Sequence, residues 1–488
     1  MSAPFSQSRF TGRLVRAGDP GFPGAAVSRV FNQRQPARRP AAVLLAADAA
    51  DVAAGVRLAR AEGLQVAVRS GGHSWAAWSL RDDTLLIDLA AFTGLSYDPA
   101  THQVTAGPAV RGGLDLDPFL AGHGRFFAGG HCPTVGLGGF LLQGGMGWNC
   151  RGWGWAAESV AAVEVVTADG ETAWCDADRN ADLFWAARGS GPGFFGVVTA
   201  FRLHTRPRFR ELIQTTYVYP AAAAGDVLGW LHAARHDVPS SVELVAVGLT
   251  PPPDRSARPD ESREQEPVLV VDGVSFDGGR ASLAALGRCP EAGLALAAKV
   301  AEPVTIAELR AEQLRANPEG HRYTVDNAYL AGAAGTLVPA LTPAFTGLPT
   351  PKSFSLWFDL AHLPARPVDG GGRPEMALSV SADIYFASYL VAGQPADDAG
   401  CRRWLDDTMR RLEPFSAGCY LGDSDLTVRP GRFMSDAAWQ RFRAIRAARD
   451  PGRLFAGYDC ADESALNVTA GPEAAGTEAA GAERRSAP

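Results

Sequence analysis

The spacing of apolar residues along the chain changes near residue 210. In residues 40–210, short apolar runs alternate with stretches in which apolar residues recur at helical spacing. Val52, Val56 and Ala59 fall on one face of a helix predicted at Asp51–Glu62, which Gly63 is placed to end. Further predicted elements are a short helix capped by Asn180 and running through Ala187, and strands at Gln65–Arg69, Thr84–Leu89, Gln103–Gly107, Val160–Ala168, Thr172–Cys175 and Gly196–His204.

Residues 210–430 predict a second domain, built from one mainly antiparallel sheet with helices on one side. The stretch Pro251–Glu266 is charged and proline-rich, which predicts a surface loop or mobile insert. Residues 468–488 lack bulky apolar groups and predict a disordered tail. The predicted strands are Leu212–Val218, Ser241–Leu249, Pro267–Val271, Ser353–Leu360 and Met376–Tyr385, and the predicted helices are Thr305–Arg315 and Ala399–Leu412.

Composition narrows the class of protein. The 488 residues are enough for two or more domains, and a net charge of −7 argues against a nucleic-acid partner. Neither an apolar leader nor a membrane span is visible, so we expect a cytoplasmic protein. Seven cysteines without a CxxC pair suggest neither a metal site nor a disulfide framework. The excess of alanine and arginine suits a GC-rich, bacterial genome.

Two glycine-rich segments carry the candidate chemistry. His73 follows Ser70-Gly71-Gly72 at the end of an apolar run, a pattern that also fits a strand ending in a turn with a solvated histidine. Residues 128–154 contain ten glycines among 27 residues and expose many backbone N–H groups, as a pyrophosphate requires. A surface loop is the alternative, but Phe140, Leu141 and Met146 are unusual in one. Within this segment Cys132 is either a ligand-facing or an inert, buried thiol.

The motifs in this order resemble those of berberine-bridge-enzyme-like flavoproteins, in the vanillyl-alcohol oxidase / p-cresol methylhydroxylase superfamily. They are RSGGHS (69–74), GGHCPTVGLGG (129–139), GGMGWNCRGWGWAAE (144–158), LFWAARGSGPGFFGVVTAF (183–201) and DPGRLF (450–455). The resemblance is close over residues 27–208 and looser over 415–458. It implies an α+β fold with a two-part, PCMH-type FAD-binding domain (1–208, with 430–467 returning to it) and a substrate domain (209–429) whose mainly antiparallel sheet is covered by helices.

The resemblance also implies how FAD is held. In members with both motifs the flavin is bonded twice, which by analogy predicts bonds to His73 and Cys132. Val135 is implied to contact the flavin, at the position where the family's oxidases keep a small residue that admits oxygen, so an oxidase is favoured. His131 stands at a variable position and is interpreted as structural. The other implied FAD contacts are Arg69, Ser70, Gly71, Gly72, Ser74, Thr134, Gly136, Gly138, Gly139, Gly145, Trp148, Gly196 and Val198.

The catalytic base is less clearly marked. Several family oxidases use the first tyrosine of a Y-x-N-Y motif, and the corresponding run keeps Tyr420 but has Gly422 and Asp423 in place of the other two residues. A phenolate near pH 7 would need a stabilising neighbour such as Arg429, and simple packing of Tyr420 at the cleft edge is the alternative. Tyr385 is a second candidate: alternation places it on one strand face with Asp383 and Ala387, and Tyr389 lies on the same strand. Trp75 and Trp78 are candidates for the cleft wall.

Three functions fit this reading. The favoured one is an FAD oxidase acting on a hydroxyl or activated C–H group of a bulky natural product in secondary metabolism, including antibiotic biosynthesis. Hydride would pass to flavin N5, and O₂ would reoxidise the flavin to give hydrogen peroxide. The alternatives are a carbohydrate or glycoside oxidase, and a flavoprotein that sequesters a metabolite without turnover. Each takes a small-molecule ligand, and the oligomeric state stays open.

Overall fold

The computed structural model describes residues 10–251, 266–276, 279–361, 363, 375–458 and 466. Nearly all of the predicted insert at 251–266, and the whole of the predicted tail at 468–488, lie outside the described residues. Among the described helices, none has the length and apolar character needed to cross a bilayer.

The first part of the chain contains a small sheet in which three of four strands run parallel. The helix predicted after residue 50 begins where the Asp48 side chain accepts the Asp51 N–H, and it ends at Gly63 in the left-handed conformation. The elements are β1 (Arg13–Arg16), α1 (Phe22–Val27), β2 (Ala42–Leu45), α2 (Ala49–Glu62), β3 (Gln65–Arg69) and β4 (Thr84–Asp88), with strand order β1-β2-β4-β3.

A five-stranded antiparallel sheet follows, in the order β5-β6-β10-β8-β9, while β7 pairs with β11. The five strands are β5 (Leu95–Asp98), β6 (Gln103–Ala106), β8 (Val160–Val166), β9 (Thr172–Cys175) and β10 (Val197–His204), and the separate pair is β7 (Arg125–Phe126) and β11 (Arg206–Pro207). The helices of this region are α3 (Asp117–Ala121), α4 (Leu137–Leu142), α5 (Cys150–Trp153) and α6 (Ala181–Ala186). Asn180 precedes α6 in the left-handed conformation and makes no side-chain cap, contrary to the prediction.

The middle of the chain forms an eight-stranded antiparallel sheet, here called the large sheet, in the order β15-β12-β14-β13-β17-β18-β16-β19. Its strands are β12 (Leu212–Pro220), β13 (Val242–Leu249), β14 (Val268–Ser275), β15 (Ala297–Val304), β16 (Arg322–Leu330), β17 (Phe354–Asp359), β18 (Ile384–Ala392) and β19 (Ser416–Gly418). The helices of this region are α7 (Ala224–Ala234), α8 (Ile306–Ala316), α9 (Ala334–Leu341), α10 (Pro343–Thr346) and α11 (Asp398–Leu412).

The two faces of the large sheet differ in what covers them. Side chains such as Leu244, Trp357 and Phe386 pack with α7, α9, α10 and α11 in one hydrophobic core. Residues of the opposite parity, including Val245, Phe358 and Tyr385, line a cavity. This alternation follows from the two-residue period of a strand, and it confirms the α+β class with helices on one face of the sheet.

The last described segment returns to the first sheet. Helix α12 (Asp436–Arg449) packs against α6, where Arg449 pairs with Asp182 at 2.7 Å. Beyond it, the Val66 N–H of β3 donates to the Leu454 carbonyl at 2.8 Å. Segments from both ends of the described chain therefore meet at the first sheet.

The strand predicted at Met376–Tyr385 is wrong in position, since β18 begins at Ile384. Backbone groups earlier in the stretch bind a different partner: the Ala377 and Leu378 N–H groups donate to the Trp185 and Arg188 carbonyls. Gly189 permits this approach, because a Cβ there would lie 2.0 Å from the Leu378 nitrogen. Among the elements that the apolar pattern did not predict are β15, β16, α7 and α12.

Candidate active site

A cavity of about 1380 Å³ lies between the glycine-rich segments and the open face of the large sheet. Sites for one small ligand are typically ~300–1000 Å³, so this cavity has room for a cofactor and a substrate together. The predicted FAD contacts on its wall are Ser70, Gly71, Gly72, His73, Ser74, Cys132, Val135, Gly136, Gly138, Gly139, Trp148, Gly196 and Val198.

The two glycine-rich segments cross with their backbones in contact. A Cβ added to Gly71 would lie 2.7 Å from the Gly136 nitrogen, and one added to Gly138 would lie 2.6 Å from Ser70 Oγ. The same Ser70 Oγ accepts the Gly139 N–H at 3.3 Å. These positions exclude any larger residue, and as a result RSGGHS and GGHCPTVGLGG form one continuous wall.

Backbone donors at this wall suit an anionic ligand. No carbonyl or side chain of the described residues accepts the N–H groups of residues 71–74. Gly72 takes a φ of +79°, so this backbone bends in a way that side-chain-bearing residues rarely adopt. Consecutive free N–H groups in a bent backbone form an anion-binding concavity, and the site therefore fits the pyrophosphate of FAD.

His73 is enclosed but chemically unused within the protein. Its ring stacks on Phe31 with 4.3 Å between centroids, and no described residue forms a hydrogen bond with either ring nitrogen. Burial lowers the pKa of His73 to about 4, so the imidazole is neutral at physiological pH. A neutral imidazole with a free nitrogen facing a cavity is available to bond to an electrophilic carbon.

Cys132 lies on the same cavity wall. Its Sγ is 3.4 Å from Thr134 Oγ1, a contact that favours the thiolate, whereas burial raises the pKa of the thiol overall. Thr134 itself does not line the cavity, so the structure places it behind Cys132 rather than against a pyrophosphate. Six cysteines, Cys132 among them, are free in the described part of the chain.

Of two further predicted FAD contacts, Arg69 lies on the cavity wall and Gly145 does not. The Arg69 side chain is 2% exposed and ion-paired with Asp88 at 2.6 Å, so only its backbone can face a ligand. Gly145 lies off the cavity wall, where a Cβ would meet the Phe140 ring at 2.8 Å. The prediction for Gly145 is therefore wrong, and that residue supports the wall from behind.

A buried carboxylate organises the aromatic end of the cavity. Asp423 Oδ1 accepts Trp75 Nε1–H at 2.8 Å, and Oδ2 accepts the phenol of Tyr389 at 2.7 Å and that of Tyr385. Burial raises the pKa of Asp423, although the three donors oppose that shift. We call these four residues the Asp423 cluster. The residue that breaks the Y-x-N-Y pattern is thus the acceptor at its centre.

Tyr420 lies beside this cluster but is bound differently. Its phenol oxygen accepts the Met146 N–H at 3.2 Å, and burial together with the neighbouring Asp423 raises its pKa. Arg429, considered above as a stabiliser of a Tyr420 phenolate, instead forms a bidentate pair with Asp326 at 2.6 and 2.8 Å. Asp383, expected to share a face with Tyr385, precedes β18 and pairs with Arg235 at 3.3 Å.

Asn327 on β16 holds the segment that carries Asp423. Its Oδ1 accepts the Tyr420 N–H at 2.7 Å, and its Nδ2 donates to the Tyr420 carbonyl at 3.0 Å and to Ser424 Oγ at 2.9 Å. Three bonds to residues on both sides of Asp423 fix the backbone there. The carboxylate therefore sits on a rigid support.

Sequence reasoning missed a second polar group on the cavity wall. Gln214, Thr216, Glu243 and Asp272 lie on β12, β13 and β14 and face the cavity. His131, interpreted as structural, also faces it and is 3.0 Å from Glu243. A charged residue in the middle of an apolar strand, as in VLVVDGVS (268–275), was the signal available in the sequence.

Comparisons with known proteins agree with this geometry. The family model for an FAD binding domain matches residues 40–176. The FAD-linked oxidoreductase nodO of Hypoxylon pulicicidum is 34% identical over 438 residues, which is 89% of this chain and 94% of the relative. The FAD-linked oxidoreductase penO of Penicillium crustosum is 33% identical over 433 residues, 88% of this chain and 93% of the relative.

A solved structure supports the fold. Physcomitrella patens BBE-like 1 superposes with a TM-score of 0.78 at 20% identity, over 93% of this chain and 97% of the other. The expected bacterial source is contradicted, because the relatives matched over most of the chain are fungal. With its FAD-compatible cavity and these full-length similarities, the chain belongs to the berberine-bridge-enzyme-like family of FAD-dependent oxidoreductases.

Proposed function

We propose that the protein is an oxidase acting on a hydroxyl or activated C–H group of a bulky natural product, in secondary metabolism. The observation that carries the proposal is that the Asp423 cluster and the two glycine-rich segments line one cavity. FAD, when bound, would supply the hydride acceptor and would pass its electrons to O₂ with release of hydrogen peroxide. A cytoplasmic location, without a nucleic-acid or membrane partner, belongs to the same proposal.

Residues 71–74, together with Gly136 and Gly138, are proposed to hold the pyrophosphate of FAD. We further propose that His73 and Cys132 each bond to the flavin. Support comes from the free, neutral imidazole of His73 and from the position of Cys132 on the same wall, in the motif whose family members carry two bonds.

Oxidation of an alcohol requires that its hydroxyl proton be removed, and the Asp423 cluster suits this step. The Tyr385 oxygen accepts the substrate proton while its own proton moves to Asp423 Oδ2, with which it is already hydrogen-bonded. Because burial raises the pKa of Asp423, the carboxylate is a stronger base than an ordinary aspartate. Tyr420 already accepts a backbone N–H and has a raised pKa, so a hydrogen-bonding role suits it better than that of the base.

The attachment is tested by the intact mass of native protein after acid denaturation. We expect one FAD per chain to stay bound, to remain in the single variants His73→Ala and Cys132→Ala, and to be released from the double variant. Cys289→Ala, which removes a cysteine outside the cavity wall, serves as the control. A bare polypeptide mass from yellow native protein would contradict covalent attachment.

The reaction is tested by hydrogen peroxide release against a panel of aromatic polyketides, glycosides and alkaloids. Release with one bulky class supports the proposal and indicates the substrate. A flavin that is reduced by a substrate but not reoxidised by O₂ would contradict the oxidase and leave a dehydrogenase.

A further inference from the structure

The open face of the large sheet is polar at two separate places with an apolar stretch between them. Strand register places Asp272, Val245, Phe358 and Tyr385 side by side on β14, β13, β17 and β18. All four line the cavity. Adjacent strands are ~4.8 Å apart, so three spacings put Asp272 about 14 Å from Tyr385.

Two neighbouring rows of side chains between these two residues are apolar. Val245 and Phe358 lie in the same row, and the row beside it contributes Val270, Val247 and Leu356 to the cavity wall. An occupant that reaches from the Asp423 cluster to Asp272 along these rows lies against an apolar surface, which favours an apolar body.

Asp272 is held in place through only one of its oxygens. Its Oδ1 accepts Gln214 Nε2–H at 2.9 Å and the Thr216 hydroxyl at 2.5 Å, while no described residue binds Oδ2. The residue is half-buried, and it lines the cavity. One carboxylate oxygen is thus free to accept a donor from a ligand.

Gln214 supplies an independent second acceptor. Its side chain faces the cavity and the residue is only 6% exposed, and no described residue donates to its Oε1. Because the side chain lines the cavity, this amide oxygen is open to a donor from a ligand or a water. These two open acceptors, Asp272 Oδ2 and Gln214 Oε1, call for a ligand group that donates hydrogen bonds.

At the Asp272 end of the cavity, the enclosed charged residues are acidic, whereas the basic ones are exposed. Glu243 is 4% exposed and lies across the sheet from Gln214, with Val274 between them. The cavity-lining cations near Asp272, Lys299 and Arg315, are exposed and lie beside the equally exposed Glu312. Enclosed charges are less screened than exposed ones, so a cationic group is favoured at Asp272.

We propose that Asp272 and Gln214 bind a basic nitrogen at one end of an elongated, apolar substrate whose other end reacts at the Asp423 cluster. This inference deepens the proposed function and rests on it only for the position of the reacting end. The substrate class is an amine or a basic N-heterocycle on a largely hydrocarbon skeleton.

Isothermal titration calorimetry of the holoprotein with decylamine, 1-decanol and decanoate tests the nitrogen site. We expect decylammonium to bind at least 10-fold more tightly than decanol, and decanoate to bind most weakly. Asp272→Asn keeps the shape and the Oδ1 acceptor but removes the charge, and it should weaken decylammonium about 10- to 100-fold, as expected for loss of a charged hydrogen bond. Decanol should change less than about threefold, within the range of surface contacts.

Two controls make the result specific. Glu312→Gln removes an exposed acid near the same end and should leave the decylammonium-to-decanol ratio unchanged within about threefold. Gln214→Ala should weaken decylammonium through loss of the second acceptor. Equal binding of decylammonium and decanol by the wild type, or an unchanged ratio in Asp272→Asn, would overturn the proposal. Calorimetry measures binding without turnover. A preference for decylammonium in a protein that releases no peroxide would therefore contradict the oxidase proposal and leave the nitrogen site supported.

Discussion

Asp423 shows how one residue that departs from a motif can carry its chemistry. We predict that Asp423→Asn lowers the rate of flavin reduction by substrate ~100- to 10,000-fold, which is the usual contribution of a general base to the rate. Substrate affinity should change little, because the amide keeps the acceptor for Trp75. Rapid-mixing spectroscopy measures both quantities. Asp383→Asn, which alters an acid just before the same strand, is the matched control and should keep the wild-type rate. A wild-type rate in Asp423→Asn would show that Asp423 is not part of the catalytic base.

The ionised form of Asp272 is predicted to lower the stability of the folded protein. Burial, with Glu312 and Glu243 nearby, raises its pKa to about 6 despite bonds from Thr216 and Gln214. Its pKa in the unfolded chain is ~3.9, so ionisation destabilises the fold progressively between these two values and fully above them, by about 3 kcal/mol at most. We predict that Asp272→Asn raises the free energy of unfolding at pH 8 and that the gain shrinks towards pH 5. Urea unfolding at the two pH values measures it, and an equal effect at both would contradict the prediction.

At the scale of elements, the sequence was most informative where strands were short and bounded by strong signals. The strand at Gln65–Arg69 matches its prediction at both ends, and the two predicted strands on either side of Asp169-Gly170 pair as a hairpin, β8 with β9. Prediction failed at β18, because apolar residues near Met376 bind the loop around Arg188 rather than a neighbouring strand. Such long-range pairing leaves no local pattern, so hydrophobic spacing alone could not locate the start of β18.

The candidate site also has a part that the sequence predicts and a part that it does not. The glycine-rich wall was predictable, since close backbone contact such as that of Gly71 with Gly136 demands a local sequence. The substrate side was not, because Asp423, Tyr385 and Trp75 come together from distant parts of the chain. Asp272 was visible in the sequence as a charge within an apolar strand. Its proposed function, however, depends on how its strand β14 is aligned with β18, from which β13 and β17 separate it in the large sheet.

At the scale of the whole molecule, the cavity exists only while the large sheet stays docked on the glycine-rich part, and one buried cation spans that junction. Arg151 on α5 is fully buried. It donates to the carbonyls of Arg235, Pro239, Val238 and Val242 at 2.7–3.0 Å and lies 3.2 Å from Asp359. Each acceptor belongs to the region of the large sheet. Removing the guanidinium therefore takes a positive charge away from the buried Asp359 carboxylate and a donor away from four carbonyls.

We predict that Arg151→Met destabilises the fold by about 3–5 kcal/mol, the usual effect of removing one partner of a buried ion pair. Since the lost contacts join two parts of the molecule, the calorimetric transition should also broaden or split as the large sheet unfolds apart from the glycine-rich part. Arg151→Lys keeps the charge but lacks the planar five-donor fork, so its loss should be intermediate. A single, sharp transition at the wild-type temperature in Arg151→Met would show that the apolar contacts of the junction suffice to keep the cavity closed.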